Sequence, residues 1–353
     1  MTPFQAYQII ADILSFKSDS EVLKTRLAHS DFDWDALVVH ASQHVVLPTL
    51  YLRLKQKSLL SVLPADLRDY LEELTDINRN RNISLLRDVH TISKLFQNHD
   101  IEHVFLKGTG LLAAGYYIDL GERMIGDIDI LVSEHQLEAA NNVLISENYK
   151  PRKQTFGVKY FEHRHLPRLV LANSLAAVEL HKSLFFKGQK ALLNKECVLN
   201  SKQLINQVYV PANNHLLHHC ILNWQINDRG NYYSRVSFRS IYDSLLILNK
   251  AQGVLPDELE ADRFVINFLC LSTVYFKDVQ HLIKDKKTFF KLSYYNFKQR
   301  HPSFSYSIDY LFRSFLFIKF LFSRLKLFLI NKDYRKDVFN NYNRIFERLK
   351  GKS

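Results

Sequence analysis

Apolar residues recur every third or fourth position through most of this 353-residue chain, and the recurrence breaks down in one central stretch. The clearest run follows Pro64. Leu67, Leu71, Leu74 and Ile77, then Leu85, Leu86, Val89 and Ile92, lie on one side of a 3.6-residue period, with proline and acids at the start. That spacing predicts one long amphipathic helix. Residues 4–16 and 33–56 also read as helix, with Asp33 as N-cap and Pro48 as a kink or break. The polar faces of this N-terminal stretch read as a solvated helical cap without chemistry of its own.

At residue 99 the texture changes. HVFLKG reads as a short buried strand ending at Gly108, GTGLLAAGYY as a helix start, and GERMIGDIDILV as a turn and a strand. Ser133 is placed to cap a following helix. Strand-like runs then occupy YKPRKQTFGVKYFEHRH and LPRLVLANSLAAVELHK. The order β-α-β-α-β-β over residues 99–185 predicts a compact mixed sheet with helices on it. A loop is expected over 186–210, and helices again from Pro211, including stretches near 278–292, 304–330 and 334–349. The chain therefore divides into an N-terminal helical region (1–98), a mixed core (99–200) and a C-terminal helical region (201–353).

Charge changes this picture at one end. The net charge is +11, yet residues 277–353 hold 18 Lys and Arg against 6 Asp and Glu, leaving 29 against 30 in the rest. The basicity belongs to the tail and suits an acidic partner or surface. The stretch YLFRSFLFIKFLFSRLKLFLI is long and apolar, but Arg313, Lys319, Arg324 and Lys326 interrupt it. Each costs about 2.5–3.5 kcal/mol at a bilayer centre, which disfavours a spanning helix. On a helical wheel these charges do not cluster on one face. Three readings stay open: a helix packed on the protein, a peripheral membrane contact, or a surface for an acidic partner. Nucleic acid is disfavoured, since no RNA-binding module is recognisable. Three cysteines without a CxxC pair argue against a disulfide framework. With no signal-peptide pattern at the start, the expected location is the cytoplasm, membrane association through the tail being the variant of that reading.

The candidate chemistry lies in the central stretch. Residues two apart on a strand share a face, so Asp127 and Asp129 project together while Ile128 and Ile130 face a core. Paired carboxylates are unfavourable unless a cation compensates them, and Mg²⁺ does so with carboxylate and phosphate oxygens. Glu179, in AAVELHK, adds a third acid if its strand pairs beside that of Asp127. Gly108 sits at a strand-to-helix turn where backbone N–H groups can meet phosphate, Thr109 adds a hydroxyl, and Lys107 and Arg123 are cations within reach of a triphosphate. His215 and His219 share a helix face beside Cys220, as a zinc pair would, but no third ligand is apparent. Arg239 and Asp243 stand four apart and read as a helix ion pair in preference to cleft residues.

The run LKGTGLL, then GERMIGDIDILV, then VELHKSL resembles the nucleotidyltransferase-like family of the DNA polymerase β superfamily. Its match is to the subgroup with an LKG…R…DIDLLV signature and a later (D/E)LH strand. The resemblance covers about 85 central residues. It implies an α+β protein in which a small mixed β-sheet nucleotidyltransferase core is flanked by N- and C-terminal helical regions. It also implies an NTP donor and two Mg²⁺ ions, with Asp127 and Asp129 as metal ligands and Glu179 as third ligand or base. Gly108 would hold the phosphate turn, and His165 and His181 match histidines able to serve an acceptor site. Two features depart from the wider superfamily: Lys107-Gly108 replaces Gly-Ser or Gly-Gly, and a glutamate replaces the usual third aspartate. The expected reaction is NMP transfer from an NTP to a hydroxyl-bearing acceptor of unknown identity. Its rivals are a catalytically silent scaffold docked on a membrane or acidic partner, and an RNA nucleotidyltransferase.

Overall fold

The structure is a computed structural model that describes residues 1–152, 158–283 and 289–342. Four short helices come first: α1 (Pro3–Leu14), α2 (Ser20–Leu27), α3 (Trp34–Gln43) and α4 (Leu47–Gln56). The helix α5 (Ala65–Asn98) follows, 34 residues long, with Pro64 as its N-cap residue. The Asp33 side chain accepts from the Ala36 N–H, capping α3 as its sequence position suggests. The 33–56 helix is interrupted before Pro48. Val45 takes a left-handed conformation, and Pro48 lies in the first turn of α4, where its missing N–H costs nothing. The helix α2 escaped sequence reading, although Asp19 caps it by accepting from the N–H groups of Glu21 and Val22.

The central stretch contains β1 (His103–Phe105), α6 (Lys107–Ala113), β2 (Ile128–Val132), α7 (Leu137–Ser146), β3 (Lys150–Pro151), β4 (Leu169–Val170) and β5 (Val178–His181). These strands form one mixed sheet in the order β1-β2-β5-β4-β3. The β2–β5 pair is parallel and the others are antiparallel. The fold is thus α+β, with a small mixed sheet among helices. Of the strand-like run 149–165, Lys150 and Pro151 form β3, His165 makes an isolated bridge to β5, and residues 153–157 lie outside the described residues. Ser133 does not cap α7. Its hydroxyl meets His135 Nδ1 at 2.7 Å, and a 3₁₀ turn over Glu134–Gln136 precedes the helix.

The expected loop 186–210 holds α8 (Lys195–Asn200) and a hairpin of β6 (Gln203–Ile205) and β7 (Val208–Val210). Asn206 and Gln207 both have positive φ, the geometry of a tight hairpin turn. Beyond lie α9 (Asn213–Leu222), a π-helical segment (Asn223–Asn227), α10 (Gly230–Tyr233), α11 (Phe238–Lys250), α12 (Asp257–Glu260) and α13 (Arg263–Ser272). The tail carries α14 (Phe289–Arg300), α15 (Pro302–Ile330) and α16 (Lys332–Asn340). The helix expected near 278–292 begins only at Phe289, after a 3₁₀ turn at Lys277–Leu282, with residues 284–288 outside the described ones. Residues 343–349 of the last expected helix likewise lie outside.

Ile128, Ile130 and Val132 of β2 and Val178 and Leu180 of β5 belong to one buried cluster that also contains Leu85, Val89 and Phe96 of α5 and Ile241 and Leu245 of α11. Close approach shapes the strand-to-helix turn. A Cβ on Gly110 would lie 2.4 Å from the Phe105 carbonyl oxygen, so only glycine fits there.

The buried His103 and the half-buried His44 make stability depend on pH. His44 packs edge-on against Tyr7 and Phe238, and His103 against Phe96, Phe105 and Tyr209. Burial pushes both imidazoles down to about 4. The unfolded chain takes up these protons below about pH 6.5 while the folded chain does not, so stability falls as pH drops through that value towards 4. Between pH 7 and 5 the loss is roughly 2 kcal/mol for each histidine. Urea unfolding across that range should record it, and a His44→Gln/His103→Gln variant should show a flatter profile.

Candidate active site

The parallel pairing of β2 and β5 places Asp129 directly opposite Glu179. Glu179 and His181, two apart on β5, share the face that Asp129 presents. His181 Nε2 lies 2.8 Å from Asp129 Oδ1 and 3.2 Å from Glu179 Oε2. All three residues are buried, and one ligand atom from each lies within 4.8 Å of the others. Two carboxylates and an imidazole can hold a divalent cation: the carboxylate oxygens suit Mg²⁺, and the imidazole suits a borderline ion. Asp127, just before β2, stands apart from this trio and meets Arg168 Nη2 at 3.2 Å.

The surrounding cations are specifically placed. Lys107 has positive φ, which an L residue adopts rarely, and its Nζ reaches Asp129 Oδ1 at 2.5 Å. The left-handed residue of the turn is therefore Lys107, while Gly108 lies beneath Ile125 and the Arg123 guanidinium. Arg168, on the strand edge before β4, bridges Asp127 and Glu179, with Nε 2.6 Å from Glu179 Oε1. Burial would raise the Asp129 carboxyl, but Lys107 and His181 outweigh it and hold the group well below the usual carboxylate range. Glu179 is also lowered: burial opposes this, and the His181 hydrogen bond prevails. Asp127 is raised, chiefly by burial, with Arg168 acting against the rise. The two inner acids thus give up their protons more readily than free carboxylates, and the outer one less readily.

His165 forms a bridge with His181 across the β5 edge, its ring 5.2 Å away and its Nε2 3.9 Å from Glu179 Oε1. Thr109 is fully buried and donates its hydroxyl to the Asp127 carbonyl at 3.0 Å, holding the start of β2. Arg123 is buried and donates Nε to both Asp243 oxygens at 3.0 and 3.1 Å. Its Nη1 donates to the Met124 carbonyl. Asp243 therefore pairs with Arg123, not with Arg239 as its helical spacing suggests. Arg239 instead lines the cleft with Lys107, Gly108, Arg123, Asp127 and Asp129. That cleft has a volume of about 230 Å³. A second cavity of about 450 Å³, which includes Tyr7, His44 and Trp224, shares Arg239 with it. Among the described residues the Arg239 guanidinium has no hydrogen-bond partner, and burial pushes its pKa down.

Two contributions escaped sequence reading, and the cleft position of Arg239 ranked behind a helix ion pair. Arg168 looked like an ordinary charge in LPRLVL. The polar residues of α5 looked like a solvated face, yet Asn78 donates to the Gly121 carbonyl and Asn82 to those of Leu120 and Arg123. Arg79 grips Asp119 with two nitrogens, and Arg81 reaches the Ile125, Gly126 and Leu175 carbonyls. The helix thereby holds the loop that carries Arg123 and Asp127. A signal was present: Thr75, Asn78 and Asn82 occupy core-facing helical spacing, where polar residues stay only if they find partners. Among the described residues, the zinc alternative finds no such assembly. His215 meets Ser201 Oγ at 2.7 Å, and His219 packs against Phe185.

The model of a family described as uncharacterised nucleotidyltransferases matches residues 30–265. Two thirds of the chain falls within that match, and the chain belongs to this family. A search of curated proteins found no match. The family implies an NTP substrate.

Proposed function

We propose that the protein transfers an NMP from an NTP to a hydroxyl-bearing acceptor in the cleft bounded by β2, β5 and the Lys107–Gly108 turn. The observation that carries this reading is the convergence of Asp129, Glu179 and His181 beneath Lys107, inside a chain of the nucleotidyltransferase family. In the reaction the acceptor oxygen forms a bond to the α-phosphorus, the bond from that phosphorus to the bridging oxygen breaks, and pyrophosphate leaves with its electron pair. Asp127, Asp129 and Glu179 would hold two Mg²⁺ ions. Bound there, the cations neutralise phosphate charge and ease ionisation of the hydroxyl.

The other roles follow from the placement of each side chain. Lys107 and Gly108 face the phosphates, and Lys107 shifts between Asp129 and the triphosphate. Arg239, free of a protein partner among the described residues, adds a second cation to the phosphates. Arg123, its nitrogens occupied by Asp243 and Met124, supports the turn from beneath. Thr109 holds the Asp127 backbone. Glu179 receives the acceptor proton, with His181 and His165 orienting the hydroxyl from the β5 side.

The test is incubation of the protein with Mg²⁺, each NTP in turn and a cell extract, read by mass spectrometry. The expected result is a metal-dependent product heavier by one NMP, lost on chelation with EDTA. No such product with any of the four NTPs, combined with no ATP binding in titration calorimetry, would overturn the proposal.

A further inference from the structure

The helix α15 is held to the body of the protein along one side. Asp309 is buried and meets Lys298 Nζ at 2.8 Å and Arg235 Nη2 at 2.5 Å. Phe312 packs on Tyr232, and the Arg324 guanidinium lies over the Phe161 ring. Among the described residues, the opposite side has no cover. Leu311, Ile318, Leu321, Phe322, Leu325 and Leu329 are between 47% and 67% exposed. An apolar surface this continuous marks a docking site on a soluble chain.

Exposure also orders two of the charges, which looked scattered on a wheel. With about 100° between successive residues, the six apolar residues centre on one line. Lys319 and Lys326, seven apart, form a row on one side of it. Arg313 and Arg324, eleven apart, lie farther round on the other side, towards the held side of the helix, where Arg324 packs on Phe161 and donates to the Tyr334 hydroxyl. Between Tyr310 and Asn331 there is no acidic residue. Among the described residues, no helix is long and apolar enough to cross a membrane.

We infer that this face of α15 is a docking surface for an anionic lipid bilayer, on which the helix lies in the plane of the interface. An apolar face bordered by the Lys319 and Lys326 row, on a helix stretch without acids, matches acyl chains beneath acidic headgroups. A second copy of the chain fits less well. The uncovered apolar face spans more than the two positions per heptad of a coiled-coil seam. Self-association across it would also bring the Lys319 and Lys326 rows together without acids to meet them. This inference goes beyond the transferase reading and is independent of it, because vesicle binding needs neither nucleotide nor metal.

The experiment is flotation of the full chain with vesicles of equal phosphatidylglycerol and phosphatidylcholine, compared with phosphatidylcholine alone, while light scattering follows oligomeric state. The chain should float with the anionic vesicles, and high salt should weaken binding. Ile318→Asp/Leu325→Asp should reduce the bound fraction at least tenfold, and Lys319→Glu/Lys326→Glu should reduce it on anionic vesicles. These side chains are exposed, so thermal melting should be unchanged and a loss of binding is not a loss of fold. No flotation, flotation unaffected by Ile318→Asp/Leu325→Asp, or a dimer that those substitutions dissolve would each overturn the inference.

Discussion

Asp129→Asn should lower NMP transfer by about a thousandfold, roughly 4 kcal/mol in the barrier. The size follows from position. Asp129 meets Lys107 at 2.5 Å and His181 at 2.8 Å, and it faces Glu179 across the parallel pair. Asparagine keeps the shape of the side chain and removes its charge. A metal site would lose an anionic ligand, and Lys107 would lose the partner that aims it. Asp127→Asn should cost less, since Asp127 is more exposed and held by Arg168 outside the buried trio. Transfer of labelled NMP under single-turnover conditions measures both, with circular dichroism checking the fold. An Asp129→Asn protein within threefold of the parent rate would sink the assignment of Asp129 to the reaction.

The second large effect is on stability. Asp243→Ala should lower the free energy of unfolding by about 3–5 kcal/mol, because it leaves the buried Arg123 guanidinium without its counter-ion. Asp243 also accepts the Tyr117 hydroxyl at 2.8 Å, so one substitution strips two buried donors. The pair spans 120 residues and ties α11 to the loop before β2. Adding Arg123→Met to Asp243→Ala should restore part of the loss, since a neutral apolar side chain needs no counter-ion. Urea unfolding distinguishes the outcomes. A double variant less stable than Asp243→Ala alone would show that Arg123 stabilises through contacts other than Asp243.

Much of the fold was legible because its signals are local. The period of α5 and the alternation in Ile128, Ile130, Val178 and Leu180 can be read within a dozen residues. The order of elements around the DID motif pointed to a nucleotidyltransferase, and the comparison shows a nucleotidyltransferase family. Features carried by single caps and turns were harder. The helix α2 rests on an Asp19 cap with little apolar periodicity behind it, and the β6–β7 hairpin turns on Asn206 and Gln207 without a glycine.

The candidate site divides in the same way. Residue types and their spacing within a strand were enough to single out Asp127, Asp129, Glu179 and Lys107. Which partner each of them meets was a different matter. Glu179 faces Asp129 because β5 pairs with β2 in parallel, and His181 reaches Asp129 across 52 residues. Arg168 bridges two of the acids because the edge before β4 folds back along β5. Asn78 and Asn82 bind a loop some 40 residues away because α5 packs over it. By itself the sequence determined the long helices, the central strands, the nucleotidyltransferase class and where the acids of the DID and ELH segments stand along the chain, since helical and strand periods and motif spacing are properties of neighbouring residues. Only the tertiary structure decided the register of the acids, the aim of Lys107, the partners of Asp243 and the uncovered face of α15. Those depend on packing between segments far apart in the chain, which no local period encodes.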